Sequence, residues 1–263
     1  PKLMDALQQG SDLAIGSRYI EGGSVGNFDE RRYALSRFAT SLAQNLCRVK
    51  VADPMSGFFA LKRSTFQAAL PELNPKGFKI LLDLLVHVPA HTKVTEVPLK
   101  FGERHAGQSK LSKRVQVEFL EYLYDVTFGR YVPLSFIKFA VVGFTGIFVN
   151  LVVFMLAQRM LQSNTAEISG YSPPLLIAIE AAIIWNFLLH NHWTFSEVHL
   201  TGLRAVRGFI KFNVACLFGA LANYAVTSEL YVRGMPAIWS LALGAFIGMT
   251  WNYTMSRLLT WKV

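Results

Sequence analysis

The chain has 263 residues, 52% of them hydrophobic, and a formal net charge of +9. With only two cysteines, Cys47 and Cys216, in parts of different character, it is no disulfide-stapled scaffold, and a reducing compartment is expected. Just 8 of its 26 Lys and Arg lie beyond residue 135, so a charged part precedes an apolar one; the basic excess suits anionic lipid headgroups and phosphorylated ligands, and nothing in it asks for nucleic acid.

Residues 1 to 135 alternate strand-like and helix-like pieces, which predicts a soluble α/β unit. Leu13 to Gly16 reads as a short strand entering Ser17-Arg18-Tyr19 and a glycine-rich stretch from Glu21 to Gly26. A strand end of that kind is where ligand groups gather in open α/β sheets. Arg31 to Cys47 reads as a helix with Leu35, Phe38, Leu42 and Leu46 on one face, and Arg32 and Ser36 one turn apart on another. Asp53-Pro54-Met55-Ser56-Gly57 then leads into a strand from Phe58 to Leu61; Asp before Pro is a common turn former.

Gly77 to Val88 predicts an apolar helix carrying Lys79 and Asp83, and Lys93 to Phe101 a strand opening into the polar stretch Gly102 to Lys110. Ser112 to Gly129 reads as an aromatic-rich interfacial helix, with a buried core helix as the alternative. His87, His91 and His105 have no metal-ligand spacing to Cys or acidic partners and read as scattered surface histidines.

The apolar part is a duplication. Phe-Ile-Lys-Phe occurs at Phe136 to Phe139 and again at Phe209 to Phe212, each with an Asn fourteen residues after its first Phe, Asn150 and Asn223. Trp185-Asn186 with Thr194-Phe195 is matched at the same spacing by Trp251-Asn252 with Thr260-Trp261. Two repeated helix pairs follow, an arrangement common in membrane transport folds.

Four transmembrane helices are predicted, over residues 136–157, 174–190, 209–230 and 236–254, since about 17 to 22 residues at about 1.5 Å each approach the thickness of the hydrocarbon core. Arg204, Arg207, Arg257 and Lys262 flank the spans on one side and only Arg159 and Arg233 on the other, which puts both termini and the soluble part in the cytoplasm. Within the membrane, Asn150, Glu180, Asn186, Asn223 and Asn252 are polar. They either hydrogen-bond between helices or line a polar route. Lys138 and Lys211 are placed to snorkel to headgroups.

Gly16-Ser17-Arg18-Tyr19, Arg32 with Ser36, Asp53-Pro54-Met55-Ser56-Gly57-Phe58-Phe59, and Phe101 to Lys110 as F-x-x-R-x-x-G-x-S-K together resemble the C-terminal half of a dolichyl-phosphate mannose synthase type enzyme, a family-2 glycosyltransferase. Residues 136 to 263 resemble the GtrA-like membrane family. The resemblance implies a partial GT-A-type α/β domain over residues 1–110, an amphipathic interfacial linker over 111–135, and an all-α domain of four transmembrane helices over 136–263.

For function it implies a multi-pass protein of the inner or plasma membrane, an inverting transferase moving a hexose from a nucleotide sugar, GDP-mannose or UDP-glucose, to polyprenyl phosphate. By the same resemblance Arg18, Arg32 and Ser36 bind the acceptor phosphate. Asp53, Ser56 and Gly57 belong to the donor pocket, where Asp53 orients a sugar hydroxyl or orders its own turn. Arg104 and Lys110 lie on a loop closing over the donor diphosphate, and Gly107 lets that loop move.

The family's Asp-x-Asp, which holds Mg²⁺ or Mn²⁺, is absent, and the chain opens on Pro1, so the expectation is a sequence whose upstream half, with the metal ligands, lies outside it. Besides the transferase, two other readings stand for the repeat domain: a flippase or carrier of the finished glycolipid, and an anchor that also makes a homo-oligomer.

Overall fold

The computed structural model describes residues 1–26, 30–46, 49–73, 80–100, 113–161 and 173–263, without the side chains of residues 31, 32, 113 and 114. Arg104, Lys110, Cys47 and Lys79 lie outside the described residues. The chain divides into unit 1, Pro1–Tyr131, and unit 2, Val132–Val263.

Unit 1 opens with helix α1 (Lys2–Gln8) and strand β1 (Leu13–Ser17). Helix α2 (Glu30–Leu46), strand β2 (Phe59–Leu61) and helices α3 (Arg63–Ala69) and α4 (Ile80–His87) follow. Strand β3 (Val94–Pro98) and helix α5 (Lys113–Thr127) complete it. The α/β character expected is present as a small mixed sheet in the order β2-β1-β3. β1 runs antiparallel to β2, with Leu13 opposite Leu61, and parallel to β3, with Leu13 opposite Val94.

Every residue of β1 is buried, as a central strand covered on both faces must be. Asp12 ties the two neighbours to its start: its carboxylate takes Lys62 Nζ at 2.9 Å and the Lys93 amide at 3.0 Å. The lysine's hydrogen bond, ahead of the others, holds this carboxyl below the usual carboxylate range.

Leu13, Ile15, Leu81 and Leu82 form the core with Ala43 of α2 and with Phe119, Tyr122 and Leu123 of α5. The face of α2 that packs is therefore Ala39, Leu42 and Ala43 with the buried Thr40, not the expected Leu35-Phe38-Leu42-Leu46 stripe; Phe38 and Leu46 are exposed. Those two larger residues lie off the side that β1 and α5 approach. One face of α5 is likewise core, while Val117 and Leu120 on another are exposed. Asp83 is buried, accepts the Tyr122 hydroxyl at 2.8 Å and faces His87 at 3.2 Å, so His87 is not the isolated surface histidine its sequence context suggested.

Unit 2 contains helices α6 (Leu134–Met160), α7 (Pro173–Leu189), α8 (Gly202–Val232) and α9 (Ala237–Met255). α6, α7 with its extension to Thr194, and α8 are long and apolar enough to cross a membrane, at 27, 22 and 31 residues. The fourth predicted span is a 19-residue helix, α9, that stands outside that set. Its second half, through Thr250, Trp251, Asn252, Tyr253 and Thr254, dilutes its apolar character.

α8 stops where Gly234 enters the left-handed region at φ +88°, and the Met235 amide reaches back to the Leu230 carbonyl at 3.0 Å, a C-terminal cap that needs no side chain. α7 and α9 each continue into a π-helical turn, His190–Thr194 and Ser256–Trp261, at equivalent repeat positions. Nothing in the residue pattern announces this wider winding.

The repeats interlock through aromatic rings. Phe187 of the first pair packs on Phe209 and Phe212 of the second at 5.4 and 5.8 Å between centroids. Its counterpart Tyr253 packs on Phe136 and Phe139 of the first at 5.1 and 5.6 Å. Phe195 and Trp261, again counterparts, stack on each other at 4.5 Å. Trp261 also donates its indole N–H to Asn191 Oδ1, 3.1 Å away, and Asn191 in turn bonds both the N–H and the C=O of Leu200.

Two glycines distinguish packing from open space. A Cβ at Gly219 would collide with the Asn252 amide, whereas one at Gly143 meets nothing within 4 Å. Gly219→Ala is expected to cost about 1 to 3 kcal/mol through overpacking. Gly143→Ala is expected to be neutral or to gain up to about 1 kcal/mol of helix propensity. Thermal unfolding of the two variants in detergent checks this; equal shifts would show that the helix seam is wrongly drawn.

Candidate functional site

In unit 1 the residues singled out by motif gather where β1 ends. The Arg18 guanidinium grips the Asp53 carboxylate with its fork, Nε to Oδ2 at 2.7 Å and Nη2 to Oδ1 at 2.8 Å, and the Arg18 amide adds a third bond at 3.1 Å. Asp53 is fully buried and the Arg18 side chain 12% exposed. The carboxylate raises the already high pKa of Arg18, so the pair is a fixed ionic brace.

The turn carrying Asp53 is held from behind. Glu96 of β3 accepts the amides of Ala52 and Asp53 at 2.8 and 3.1 Å. Ser56 donates its hydroxyl to the Gly16 carbonyl at 2.6 Å and accepts the Phe58 amide at 3.1 Å. Among the described residues, no side chain or backbone stands within 4 Å of where a Cβ of Gly57 would project. Ser56 and Asp53 therefore lock the Asp53–Gly57 turn onto β1.

Tyr19 connects this brace to α2. Its hydroxyl shares a 2.7 Å hydrogen bond with Ser36, and its ring lies between two guanidinium groups, Arg18 at 5.2 Å and Arg37 at 5.0 Å from the centroid. Tyr33 meets it edge-on at 6.4 Å. The close return of the glycine-rich stretch is required: a Cβ at Gly23 would fall 2.7 Å from the Ser17 carbonyl oxygen.

The structure thus joins Arg18, Ser36, Asp53 and Ser56 into one connected group. Arg32 stands on α2 one turn before Ser36, its side chain outside the description, as are Arg104 and Lys110. Arg37, Tyr33 and Glu96 are neighbours that the motifs did not single out. Tyr33 and Arg37 sit one helical turn apart, the only sequence cue to them.

Among the described residues no three of His, Cys, Asp and Glu gather to hold a metal ion. The buried carboxylates are committed, Asp53 to Arg18 and Asp83 to Tyr122, so the residues described do not fit a divalent cation.

Unit 2 holds a second polar locus. A cavity of about 390 Å³ lies between the repeats, with Asn186, Asn223, Asn252 and His190 among its walls. Asn223 accepts the Thr227 hydroxyl at 3.1 Å. Asn150, the repeat counterpart of Asn223, is not one of the lining residues. Glu180 lies elsewhere and accepts Asn213 Nδ2 at 2.9 Å, joining α7 to α8. Lys211 donates to the Leu259 carbonyl at 3.2 Å and Lys138 lies 5.7 Å over the Trp193 ring, two equivalent placements at the ends of their own helix pairs.

Residues 138–261 match the family described as GtrA/DPMS, transmembrane domain. The chain is 34% identical over 263 residues to a dolichol-phosphate mannosyltransferase of Pyrococcus furiosus, covering 99% of this chain and 71% of that protein. It is 38% identical over 113 residues to a polyprenol monophosphomannose synthase of Mycolicibacterium smegmatis, 42% of this chain and 43% of that one. Against an undecaprenyl-phosphate mannosyltransferase of Micrococcus luteus it is 30% identical over 114 residues, 43% of this chain and 46% of the relative. The chain thus spans less than half the length of the two bacterial relatives.

Asp53→Ala leaves the Arg18 fork charged, largely buried and unpaired, and is expected to destabilise unit 1 by about 3 to 5 kcal/mol. Arg18→Lys keeps a charge and loses the fork, with an expected cost of about 1 to 3 kcal/mol. Denaturant midpoints of both variants check the order; a larger loss for Arg18→Lys would contradict the brace.

Proposed function

The chain belongs to the dolichol-phosphate mannosyltransferase family, and on that premise we propose that it serves a membrane-bound inverting glycosyltransferase that moves a hexose from a nucleotide sugar to polyprenyl phosphate at the cytoplasmic face. Mannose is favoured by the names of the relatives, with GDP-mannose as donor ahead of UDP-glucose. The observation that carries this reading is the Arg18–Asp53–Tyr19–Ser36 group at the end of β1, in a chain that continues into a membrane domain. On the same reading the mixed sheet is part of a GT-A-type domain.

The acceptor brings its own nucleophile. A phosphate oxygen attacks the anomeric carbon, the bond from that carbon to the nucleoside diphosphate breaks, and its electron pair leaves on the diphosphate, inverting the centre. No strong general base is needed, so the protein's work is placement and charge compensation.

Asp53 orients the Arg18 guanidinium through Nε and Nη2, and Arg18 in turn steadies Tyr19. Tyr19 fixes the Ser36 hydroxyl one turn from Arg32 on α2. Arg18, Arg32 and Ser36 are thereby the residues assigned to the acceptor phosphate, whose oxygens planar guanidinium groups match. Arg104 and Lys110 are assigned to the departing diphosphate.

Separate titrations of donor and acceptor test the assignment. Arg32→Lys should weaken use of polyprenyl phosphate by about 1 to 3 kcal/mol and leave the nucleotide sugar unaffected. Arg104→Lys should lower turnover and donor binding and spare the acceptor. If both perturb the two substrates alike, or neither matters, the roles are wrong; absence of any lipid glycosylation by the intact enzyme would defeat the activity itself.

The orientation proposed, with termini and the Arg204 loop cytoplasmic and Ser169 external, rests on the placement of Lys and Arg. Ser169→Cys in a background without the native cysteines should react with an impermeant thiol reagent added to intact cells. Labelling from the cytoplasmic side alone would reverse it.

A further inference from the structure

The cavity of unit 2 lies on the relation between the two repeats. Phe139, Gly143 and Ile147 of α6 line it, and so do their counterparts Phe212, Cys216 and Ala220 of α8. At about 390 Å³ it falls within the size range of small-ligand sites. Its polar walls are amides and an imidazole: Asn186 and His190 from the first pair, Asn223 and Asn252 from the second.

Two of those amides are anomalous. The Oδ1 atoms of Asn186 and Asn252 are buried and have no hydrogen-bond partner among the described residues. Each is pressed against a glycine of its own helix pair, Gly146 and Gly219, so that a Cβ at either would strike the amide. Contact of an amide oxygen with a glycine Cα–H is a weak hydrogen bond and accounts for that end of the group. It does not account for the amide nitrogens, left bordering the cavity in a segment where lipid supplies no partner and an unmet polar group is costly.

Packing alone would accept a small apolar residue at both places. Yet the duplication retains Asn at both, while the neighbouring lining pairs have diverged, Gly143 against Cys216 and Ile147 against Ala220. An anion does not suit these walls, because among the described residues no Lys or Arg lines them: Lys138 is turned to Trp193 and Lys211 to the Leu259 carbonyl. Neutral donors flanked by aromatic and aliphatic side chains suit hydroxyl and ether oxygens.

We infer that the cavity between the repeats is a binding site for the neutral, hydroxylated head of a membrane lipid, a hexose carried on an isoprenoid phosphate, with the amides of Asn186 and Asn252 donating to the sugar oxygens and the phosphate lying outside. This site is separate from the transfer chemistry of unit 1, and the identity of its occupant rests on the function proposed above.

The test uses the full chain in phosphatidylcholine nanodiscs and two probes, citronellyl phosphomannose and citronellyl phosphate, with affinities measured by equilibrium binding. Gly143→Leu projects a side chain into open space at the cavity wall and should weaken the mannosyl lipid by about tenfold or more while leaving citronellyl phosphate unaffected. The pair Asn186→Ala with Asn252→Ala removes the donors and enlarges the cavity instead, and should weaken the same probe.

Unchanged affinity for the mannosyl lipid in both variants overturns the site, as does equal weakening of the two probes, which would mean that the cavity holds only the isoprenoid chain. Should Gly143→Leu lower the unfolding temperature, the amide variants decide. Transfer is assayed independently on the unaltered protein: binding that responds to the variants without any transfer defeats the proposed activity and leaves the site standing.

Discussion

A helix pair whose second helix cannot finish packing against its own first helix must borrow a surface, and unit 2 is organised by that need. Phe187 leans on Phe209 and Phe212, and Tyr253 returns the arrangement on Phe136 and Phe139. Each aromatic therefore closes the other repeat, with Phe195 stacked on Trp261 where the two ends meet. In a bilayer, apolar burial between helices gives little drive, so ring geometry and hydrogen bonds such as Trp261 to Asn191 must define the seam. The π-helical turns at His190–Thr194 and Ser256–Trp261 belong to the same device, since they deliver Phe195 and Trp261 to the stack.

Unit 1 handles charge by pairing it. Asp53 has no exposure, and the energy of bringing a carboxylate there is offset by three hydrogen bonds from one arginine. The arginine does not then float free as a point charge. It passes its rigidity to Tyr19, and Tyr19 to Ser36, so a buried ion pair positions a hydroxyl on a different helix. A reaction whose nucleophile is already anionic benefits from this kind of support, because misplacement costs it more than want of a base.

The two units present polar groups of different chemistry. Guanidinium groups stand beside Tyr19 in unit 1, and amides line the cavity between the repeats of unit 2. The amides are neutral, and burial of an uncompensated charge is most costly in a membrane interior.

Spacing along the chain was enough to reveal the duplicated pair, the positions of the apolar helices and the motif residues at the end of β1, because periodicity, glycine placement and repeated words are local. It misjudged the packed face of α2: Phe38 is the larger residue, but burial is awarded by what approaches, and β1 and α5 approach Ala39, Leu42 and Ala43. Asp53 could be read as a turn former or a ligand, and only the fold decided that its carboxylate belongs to Arg18, 35 residues away. The amides of Asn186 and Asn252 were recognisable as polar groups in apolar helices, but their seats on Gly146 and Gly219, and the cavity they border, come from helices brought together across loops. The sequence by itself determined the pieces and their kinship; the tertiary structure alone decided which charges and amides are spent on one another and which border a cavity, because such pairing depends on distances between residues far apart in the chain.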